Sequence, residues 1–370
     1  MSLPVKPPLS PGRTLRTPED LVAAGLVPSD QHGMLEAVAQ QYATAIPPAF
    51  LDLIEQPDDP IGVQVVPSGL ELEVTQAERS DPIGDDALSP VPGIVHRYAD
   101  RALLKPLLVC PLYCRFCFRR EHVGPDGGVL DDAALNTALD WLRTHTQIRE
   151  VILTGGDPLM LSARRLASIM QALESMAHVT TIRLHTRVPV AAPERVTDAV
   201  LDALESNKAV WMAVHINHAR ELSPAARQSL GRIMRRGIPL LGQSVLLRGV
   251  NDSEQALEDL FRAMVESRMR PYYLHQLDPA PGTARFHVPG QEGQRLLAGL
   301  RGRVTGLAWP LYVLDIPGGH GKVPLGPESA EGPLRVRDPA GTPHARARPY
   351  LRLPRGGDLA VATVRPPPTR

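Results

Sequence analysis

The sequence predicts an α/β fold: a partial parallel barrel of the (β/α)6 type, with a helical N-terminal region and an extended C-terminal tail. From about residue 105, short runs of apolar and β-branched residues alternate with helical stretches. Such alternation is typical of parallel strands joined by crossover helices. Six or seven of these units favour a barrel or partial barrel over a small sandwich. In such folds the chemistry lies in the loops after the carboxyl ends of the strands.

The N-terminal region, residues 1–90, is expected to form short helices and then a strap across something larger. The tetrapeptide Thr17-Pro18-Glu19-Asp20 has the pattern of an N-cap, a proline at the first helical position and acidic residues in the first turn. A second helical pattern covers 32–45, and a run rich in Pro, Asp and Gly continues to Gly93. The barrel is therefore expected to begin near residue 91.

The barrel is assigned to residues 91–330 and the tail to residues 331–370. Apolar runs predict strands at 107–109, 150–153, 180–185, 209–216, 239–245, 271–276 and 311–314. Helices are predicted between them at 131–143, 163–175, 192–206, 223–236, 253–268 and 293–301. The tail is rich in Pro, Arg and Gly, and we expect it to be extended, wrapping the core or reaching a neighbouring subunit.

Composition argues against several classes of function. Of 370 residues, 43% are hydrophobic and 22% are charged, which is a globular composition. The 40 basic and 40 acidic residues give a formal net charge of zero, so nothing favours nucleic-acid binding. No apolar run reaches the roughly 18 residues of a membrane span, and the N-terminus lacks the apolar core of a signal peptide. We expect a cytoplasmic protein that binds neither nucleic acid nor membranes.

All three cysteines fall in one short segment, Cys110-Pro-Leu-Tyr-Cys114-Arg-Phe-Cys117. This clustering argues against a disulfide framework and for a shared ligand role. Thiolates suit zinc or iron–sulfur clusters. Three thiolates can hold three irons of a [4Fe–4S] cluster and leave the fourth iron open, whereas a structural zinc ion normally needs a fourth protein ligand. A zinc site completed by His122, or three unrelated thiols, are the alternatives.

Several motifs together resemble the lysine 2,3-aminomutase family of the radical S-adenosylmethionine (SAM) superfamily. The CxxxCxxC triad is followed by Phe118-Arg119-Arg120, and further family-like motifs occur in order between about residues 90 and 340. They are HRYADR at 96–101, TGGDP at 154–158, RVP at 187–189, HINH at 215–218, QSVLLRGVND at 243–252, PYY at 271–273 and DIPGGHGK at 315–322. Each piece alone is weak, whereas the ordered set is specific.

The resemblance implies a radical-SAM barrel with a [4Fe–4S] cluster on the three cysteines and SAM at the open iron. It places Gly155, Gly156 and Asp157 beside the methionyl group of SAM. The glycines would let the backbone approach a ligand closely, and Asp157 could fix an ammonium, although an ordinary strand-to-helix turn is the alternative. His215 and Gln243 match positions that contact the same cofactor, and a satisfied core histidine is the alternative for His215.

A second cofactor, pyridoxal 5′-phosphate (PLP), is implied by Lys322 in the Gly-rich motif. A lysine amine there can form a Schiff base with the PLP aldehyde, and a solvated loop lysine is the alternative. The chain has four lysines and 36 arginines, so a lysine retained in this loop is mildly suggestive. Arg97 and Arg101 match family positions near the cofactor phosphate, which a guanidinium fork suits. Surface ion pairing is their alternative role.

Three residues carry the substrate assignment. Arg119 matches the family arginine that holds the substrate α-carboxylate, and Asp278 and Asp315 match the two aspartates that hold the distal ammonium of lysine. Two carboxylates at one end of a pocket select a cationic side chain, because a buried charge needs a partner. The alternative is that either aspartate caps a loop.

The resemblance therefore implies an isomerase that converts L-lysine to β-lysine by a 1,2-amino shift, initiated by a 5′-deoxyadenosyl radical and mediated by PLP. One alternative resembles the enzyme that makes (R)-β-lysine for modification of elongation factor P. Others are an aminomutase for arginine or another cationic amino acid, a non-catalytic iron–sulfur protein, and a zinc-binding module.

The expected partners are a small amino-acid substrate, a reductant protein such as flavodoxin or ferredoxin, and further copies of the chain. The clostridial-type enzymes of the family have additional cysteines that bind an interface zinc. Here Ser253 stands at one of those positions and the tail has no cysteine. We therefore expect a homo-oligomer without that zinc. His275 stands where the family often has tyrosine.

Overall fold

A nine-stranded sheet, curved into an open barrel, forms the centre of the molecule. The computed structural model describes residues 12–325 and the backbone of three short strands at 330–331, 335–337 and 343–345. The nine strands lie in the sheet in chain order. They are β1 (Ile94–Tyr98), β2 (Arg101–Leu107), β3 (Glu150–Gly155), β4 (Thr181–Thr186), β5 (Ala209–His215), β6 (Leu240–Leu246), β7 (Met269–Gln276), β8 (Leu311–Ile316) and β9 (Gly321–Pro324).

Strands β2 to β8 run parallel, which confirms the predicted α/β barrel. Antiparallel hairpins extend the sheet at both edges, since β1 pairs with β2 and β9 pairs with β8. The two edge strands approach each other through a side chain: the backbone N–H of Lys322 in β9 donates to the hydroxyl of Tyr98 in β1 at 2.8 Å. A side-chain contact therefore bridges the open barrel beside Lys322.

Helices connect the parallel strands and cover the sheet. The N-terminal region contains α1 (Pro18–Ala23), α2 (His32–Ala39) and α3 (Pro48–Leu51). The barrel helices are α4 (Asp132–Thr144), α5 (Ala163–Glu174), α6 (Val188–Ala191), α7 (Asp198–Asp202), α8 (Pro224–Arg235), α9 (Glu254–Glu266) and α10 (Gly290–Gly299). In the described part of the chain, none of these helices has the length and apolar character needed to cross a membrane.

The barrel helices begin at side-chain caps and bury one face. In α5, the hydroxyl of Ser162 accepts the backbone N–H of Arg165, which satisfies one of the free donors of the first turn. Its buried residues recur with helical spacing and join one core with the strands: Leu166, Ile169, Met170 and Leu173. Ser253, at the position where the resemblance implies a zinc-binding cysteine, caps α9 through Ala256.

Three predicted elements have different bounds. The strand predicted at 107–109 lies earlier, as β2, because β1 pairs with it from Tyr98 back to Ile94. The helix predicted at 192–206 is interrupted: a 3-10 turn covers Pro193–Arg195, and α7 starts anew at the N-cap Thr197. The helix predicted at 32–45 ends at Ala39, after which Ile46 bridges to Leu15.

The N-terminal region packs on the barrel through its own apolar cluster. Phe50 and Ile61 are fully buried there together with Leu112 and Ala191 from the barrel. The following segment, residues 79–93, contacts the barrel, since the backbone N–H of Arg79 donates to the carbonyl of Pro279 at 2.8 Å, and we call it the strap. Its Ile83 and Asp85 are buried. The domain boundaries stay predictions. The tail predicted at 331–370 lies outside the described residues apart from Glu331, at the end of β10 (Ala330–Glu331), and two further strands. These are β11 (Arg335–Arg337), which pairs with β10, and β12 (Pro343–Ala345), which pairs with β11.

Candidate functional site

One cavity of about 930 Å³ lies inside the barrel. This volume is at the upper end of the range of about 300–1,000 Å³ typical of ligand pockets. All fourteen residues predicted from the sequence line it: Arg97, Arg101, Cys110, Cys114, Cys117, Arg119, Gly155, Gly156, Asp157, His215, Gln243, Asp278, Asp315 and Lys322. The cavity therefore brings together the predicted cluster, cofactor and substrate residues.

The cysteine loop follows β2 and is held by the N-terminal region. The backbone N–H of Tyr113 donates to the carbonyl of Ala45 at 3.3 Å, and that of Arg115 donates to the carbonyl of Gln64 at 2.8 Å. Within the loop, the N–H of Cys117 donates to the carbonyl of Cys114 at 3.2 Å. Residues far away in the chain thus fix the path of the three cysteines.

The three cysteines are half-buried, and their thiols influence one another. Burial, the Asp157 carboxylate and the other two thiols raise the pKa of Cys110 well above its usual value. Burial and Cys114 raise the pKa of Cys117 to about 11. Such thiols keep their protons at neutral pH unless a metal replaces them. This donor set fits a bound metal centre.

The spacing of the sulfurs distinguishes a cluster from a single zinc ion. Tetrahedral zinc with Zn–S bonds of about 2.3 Å holds its sulfurs about 3.8 Å apart. Among the described residues, the one group of three possible ligand atoms within 4.8 Å of one another is Glu19, His32 and Glu36 on the N-terminal helices. The three cysteine sulfurs do not form such a compact group, and the His122 ring lies 4.0 Å from Asp86. The three cysteines fit the wider [4Fe–4S] cluster.

A buried arginine, Arg187, contacts one of the sulfurs. The RVP motif at 187–189 assigns no role to this residue from the sequence alone. Arg187 donates from one terminal nitrogen to Sγ of Cys114 at 2.7 Å. Its other terminal nitrogen donates to Gln64 at 2.7 Å and to Glu221 at 2.9 Å. Burial would lower the pKa of Arg187, but Cys114 and Glu221 outweigh it and raise this pKa. The cysteine end of the cavity therefore carries a fixed positive charge.

The Gly155-Gly156-Asp157 turn packs on the backbone that leads into the cysteine loop. A Cβ at Gly156 would lie 2.5 Å from the backbone nitrogen of Val109, so the glycine permits a close approach of the protein's own chain. The Asp157 carboxylate accepts hydrogen bonds from Thr186 Oγ1 at 2.7 Å and from the N–H of Arg187 at 2.7 Å. Both features hold the turn in place, and contact with SAM stays a prediction for this turn.

His215, the last residue of β5, and Gln243, in the middle of β6, lie side by side as register partners. Burial, His275, Arg187 and Arg119 lower the pKa of His215 to about 3, so its imidazole is neutral. The Oε1 atom of Gln243 is buried and has no hydrogen-bond partner among the described residues. A buried polar atom without a partner favours a ligand at this point of the cavity.

Lys322 and Asp315 form an ion pair at the other end of the cavity. The Lys322 Nζ donates to Oδ2 of Asp315, and the two residues are register partners in β9 and β8. Nδ1 of His275 lies 3.5 Å from the same oxygen. Burial alone would raise the pKa of Asp315, but Lys322 and His275 hold it well below its usual range.

Asp278 is the unpaired carboxylate of the site. It follows β7, and its Oδ1 atom is buried without a hydrogen-bond partner among the described residues. Burial and the neighbouring Asp315 raise the pKa of Asp278 well above its usual value. An ionised carboxylate in this place needs a cation, which the described residues do not supply by contact.

Two of the three predicted arginines share one carboxylate that the sequence did not reveal. Arg119 and Arg97 both donate to Asp85 of the strap, at 2.7 Å and 2.9 Å. Arg101 pairs instead with the exposed Asp100 at 2.8 Å and lies over the Tyr98 ring. Asp85 had no recognisable motif, because only the path of the strap brings it to the site.

Comparisons with known proteins identify the family of the chain. Residues 104–261 match the family described as the Radical SAM superfamily. The chain is 38% identical over 304 residues to L-lysine 2,3-aminomutase of Acetoanaerobium sticklandii, covering 82% of this chain and 73% of that protein. It is 36% identical over 287 residues to L-lysine 2,3-aminomutase of Escherichia coli, covering 77% and 83%.

A relative with another substrate is also similar. The chain is 34% identical over 296 residues to glutamate 2,3-aminomutase of Clostridioides difficile, covering 80% of this chain and 70% of that protein. Identity of this extent, together with the cysteine loop and the barrel cavity, establishes the family and the radical chemistry that its cluster and SAM provide. The chain belongs to the lysine 2,3-aminomutase family of the radical SAM superfamily, whose members are isomerases.

Proposed function

We propose that the protein is an L-lysine 2,3-aminomutase, which converts L-lysine to β-lysine. The observation that carries this proposal is the pair of carboxylates beside Lys322 in the cavity, the buried Asp315 and the half-buried Asp278. Asp278 needs a cation, and the distal ammonium of lysine would supply it. Two acids at this end of the site disfavour glutamate, whose carboxylate would lie near the ionised Asp315 and could not supply the cation that Asp278 needs.

The cavity residues divide between the cofactors. When bound, SAM at the [4Fe–4S] cluster supplies a 5′-deoxyadenosyl radical, and PLP supplies a ring that carries the amino group during the shift. The cluster would be held by Cys110, Cys114 and Cys117. The residues proposed for SAM are Gly155, Gly156, Asp157, His215 and Gln243. Those proposed for PLP are Lys322, as its anchor, and Arg97 and Arg101, at its phosphate.

The substrate would be held at both ends. Arg119 would bind the α-carboxylate, because a guanidinium offers two parallel N–H donors to a carboxylate. Asp278 and Asp315 would bind the distal ammonium. Since Asp315 already pairs with Lys322, its carboxylate would be shared between the protein's own amine and that of the substrate. Asp278 is then the residue that obtains its countercharge from the substrate alone.

Further parts of the proposal concern partners. The cluster needs an electron, and a reductant protein such as flavodoxin or ferredoxin would supply it. We also propose a homo-oligomer without the interface zinc, because Ser253 caps a helix at a position where the clostridial-type enzymes have cysteine. The expected cytoplasmic location stays a prediction.

The test uses anaerobically reconstituted protein with PLP, dithionite, SAM and L-lysine, followed by chiral analysis of the amino acids. We expect β-lysine to accumulate. The configuration of this product, R or S, would decide between an enzyme of lysine metabolism and the enzyme of elongation factor P modification. L-Arginine and L-glutamate serve as competing substrates, and we expect glutamate to turn over at least about a hundredfold more slowly. No β-lysine from protein with a full cluster and bound PLP would reject the lysine assignment.

A further inference from the structure

Asp85 connects the two arginines that the proposed function assigns to different ligands. Its Oδ2 atom accepts Nε and Nη2 of Arg119 at 2.9 and 2.7 Å. Its Oδ1 atom accepts Nη2 of Arg97 at 2.9 Å. Arg97 would hold the PLP phosphate and Arg119 the substrate carboxylate. One buried carboxylate thus orients a cofactor residue and a substrate residue together.

The strap builds Asp85 into place. The carboxylate of Asp81 accepts the backbone N–H of Asp85 at 2.8 Å, and the hydroxyl of Ser89 donates to the Asp85 carbonyl at 2.8 Å. The preceding Gly84 lies against the backbone of Gly319, in the loop that leads to Lys322. The position of the Asp85 carboxylate is therefore set by contacts on both sides of the site.

The charges fit a positioning role. Burial alone would raise the pKa of Asp85, but Arg119, Arg97 and Lys105 outweigh it and hold this pKa below its usual value. The carboxylate is therefore ionised at neutral pH. Two guanidinium groups share this one charge, so the pair keeps an excess positive charge that can meet anionic ligand groups.

The geometry leaves one edge of Arg119 available. A guanidinium has two edges that can each receive a carboxylate. Asp85 takes the edge formed by Nε and Nη2, while the ring of Phe118 lies 4.4 Å below the guanidinium carbon. The edge formed by the two terminal nitrogens remains, and Arg119 lines the cavity. A ligand carboxylate can bind that edge without displacing Asp85.

We propose that Asp85 is a positioning residue that holds Arg119 for the substrate carboxylate and Arg97 for the PLP phosphate. This inference rests on the proposed function, since it takes both ligand assignments from it. It predicts that loss of the Asp85 charge weakens recognition of the carboxylate and of PLP while the cluster and the fold persist.

The test compares four reconstituted holoenzymes: wild type, Asp85→Asn, Asp85→Glu and Asp86→Asn. Asn keeps the size of the side chain and removes its charge, whereas Glu keeps the charge. Asp86 is the adjacent residue with a side chain that is 66% exposed, which makes Asp86→Asn the matched control. Iron content, melting temperature and the electron paramagnetic resonance signal of the reduced cluster are compared for all four.

Two ligands separate carboxylate recognition from general damage. L-Lysine has the carboxylate, and L-lysinamide has an uncharged amide in its place. At saturating PLP, we expect Asp85→Asn to raise the KM for L-lysine about tenfold to a hundredfold, the value of one charge-assisted hydrogen bond. The kcat of Asp85→Asn should change less than about threefold. Its affinity for L-lysinamide, measured by the absorbance of bound PLP, should also change less than about threefold. Asp85→Glu should recover most of the lysine affinity, and Asp86→Asn should behave like wild type.

A separate titration of PLP into the apoprotein needs no turnover. Here we expect Asp85→Asn to raise the Kd for PLP about tenfold. If wild type failed to convert lysine, the proposed function would fail, while this titration would still test the Arg97 half of the inference. Equal losses for lysine and lysinamide would overturn the positioning role. So would an unchanged Asp85→Asn enzyme, or a fall in activity that merely follows a fall in iron content or melting temperature.

Discussion

Two aspartates at the same end of the cavity have opposite electrostatic situations. Asp315 has the Lys322 amine as a partner, and its pKa lies well below the usual range. Asp278 has burial and a negative neighbour, and its pKa is raised. An aspartate thus stabilises the fold at one position and destabilises it at the other. The neighbouring charge decides whether the pKa is lowered or raised, and so whether the ionised carboxylate adds to stability or reduces it.

Asp278→Asn should make the ligand-free protein more stable at neutral pH. The folded protein retains the Asp278 proton at pH values where the unfolded chain has lost it, so wild-type stability falls as the pH rises above about 4. Asparagine does not titrate and removes this loss. We therefore expect the melting temperature of the variant to exceed that of wild type, by a margin that grows between pH 4 and the raised pKa. The same substitution should weaken L-lysine binding at least about tenfold.

Asp315→Asn is the matched control, for which we expect the opposite change in melting temperature. The lowered pKa of Asp315 gives stability that is present above its ordinary pKa and is lost as the pH falls through the folded value. Its removal leaves the Lys322 amine without its carboxylate, so this variant should melt lower than wild type at neutral pH. A lower melting temperature for Asp278→Asn as well would contradict the raised pKa of Asp278 in the ligand-free protein.

At the scale of elements, the sequence correctly predicted that residues from separate strands meet in one cavity. Parallel strands deliver the residues at their carboxyl ends to one side of the barrel, so motifs far apart in the chain could be placed together. His215 at the end of β5 and Asp278 just after β7 are examples. The family resemblance supplied their roles, while the alternation of strands and helices supplied their common location.

The missed features depend on contacts that no local pattern encodes. β9, at Gly321–Pro324, is short and pairs with β8 alone among the described strands, so it had no alternating pattern to recognise. Asp85 lies in the strap just before a single 3-10 turn, Asp86–Leu88, and its role depends on where the strap contacts the barrel. The break in the helix predicted at 192–206 follows from Pro193 and the cap at Thr197, which are local signals that the apolar pattern outweighed.

Gly84→Ala should disturb the site through the strap. Gly84 has a φ of +74°, and a Cβ there would lie 2.5 Å from the backbone nitrogen of Gly319. Gly249 has the same φ of +74°, but a Cβ there would meet nothing within 4 Å, so Gly249→Ala isolates the cost of the conformation, about 1–2 kcal/mol. We expect Gly84→Ala to lose more stability than this and to raise the Kd for PLP several-fold. Equal effects of the two variants on stability and on PLP binding would show that the close approach has no importance.

At the scale of the whole molecule, one buried glutamate joins the N-terminal region to the cysteine loop. Glu71 is fully buried and accepts hydrogen bonds from Arg115 at 3.0 Å and from Arg120, while Arg285 lies 3.7 Å away. Arg115 and Arg120 flank Cys117, and Arg285 follows the loop after β7. The cluster-binding loop is therefore held by charges that come from three separate parts of the chain.

Glu71→Gln should destabilise the protein and reduce its iron content. Removing one partner of a buried ion pair leaves Arg115 and Arg120 without their countercharge, which costs about 3–5 kcal/mol. Arg115 and Arg120 outweigh burial and lower the pKa of Glu71, so its contribution is present at neutral pH and is lost as the pH falls below about 4. The difference in melting temperature from wild type should shrink over the same range. Glu73→Gln, at an exposed position two residues away, is the control and should match wild type in both iron content and stability. Normal iron content in Glu71→Gln would mean that the cysteine loop keeps its shape without this contact to the N-terminal region.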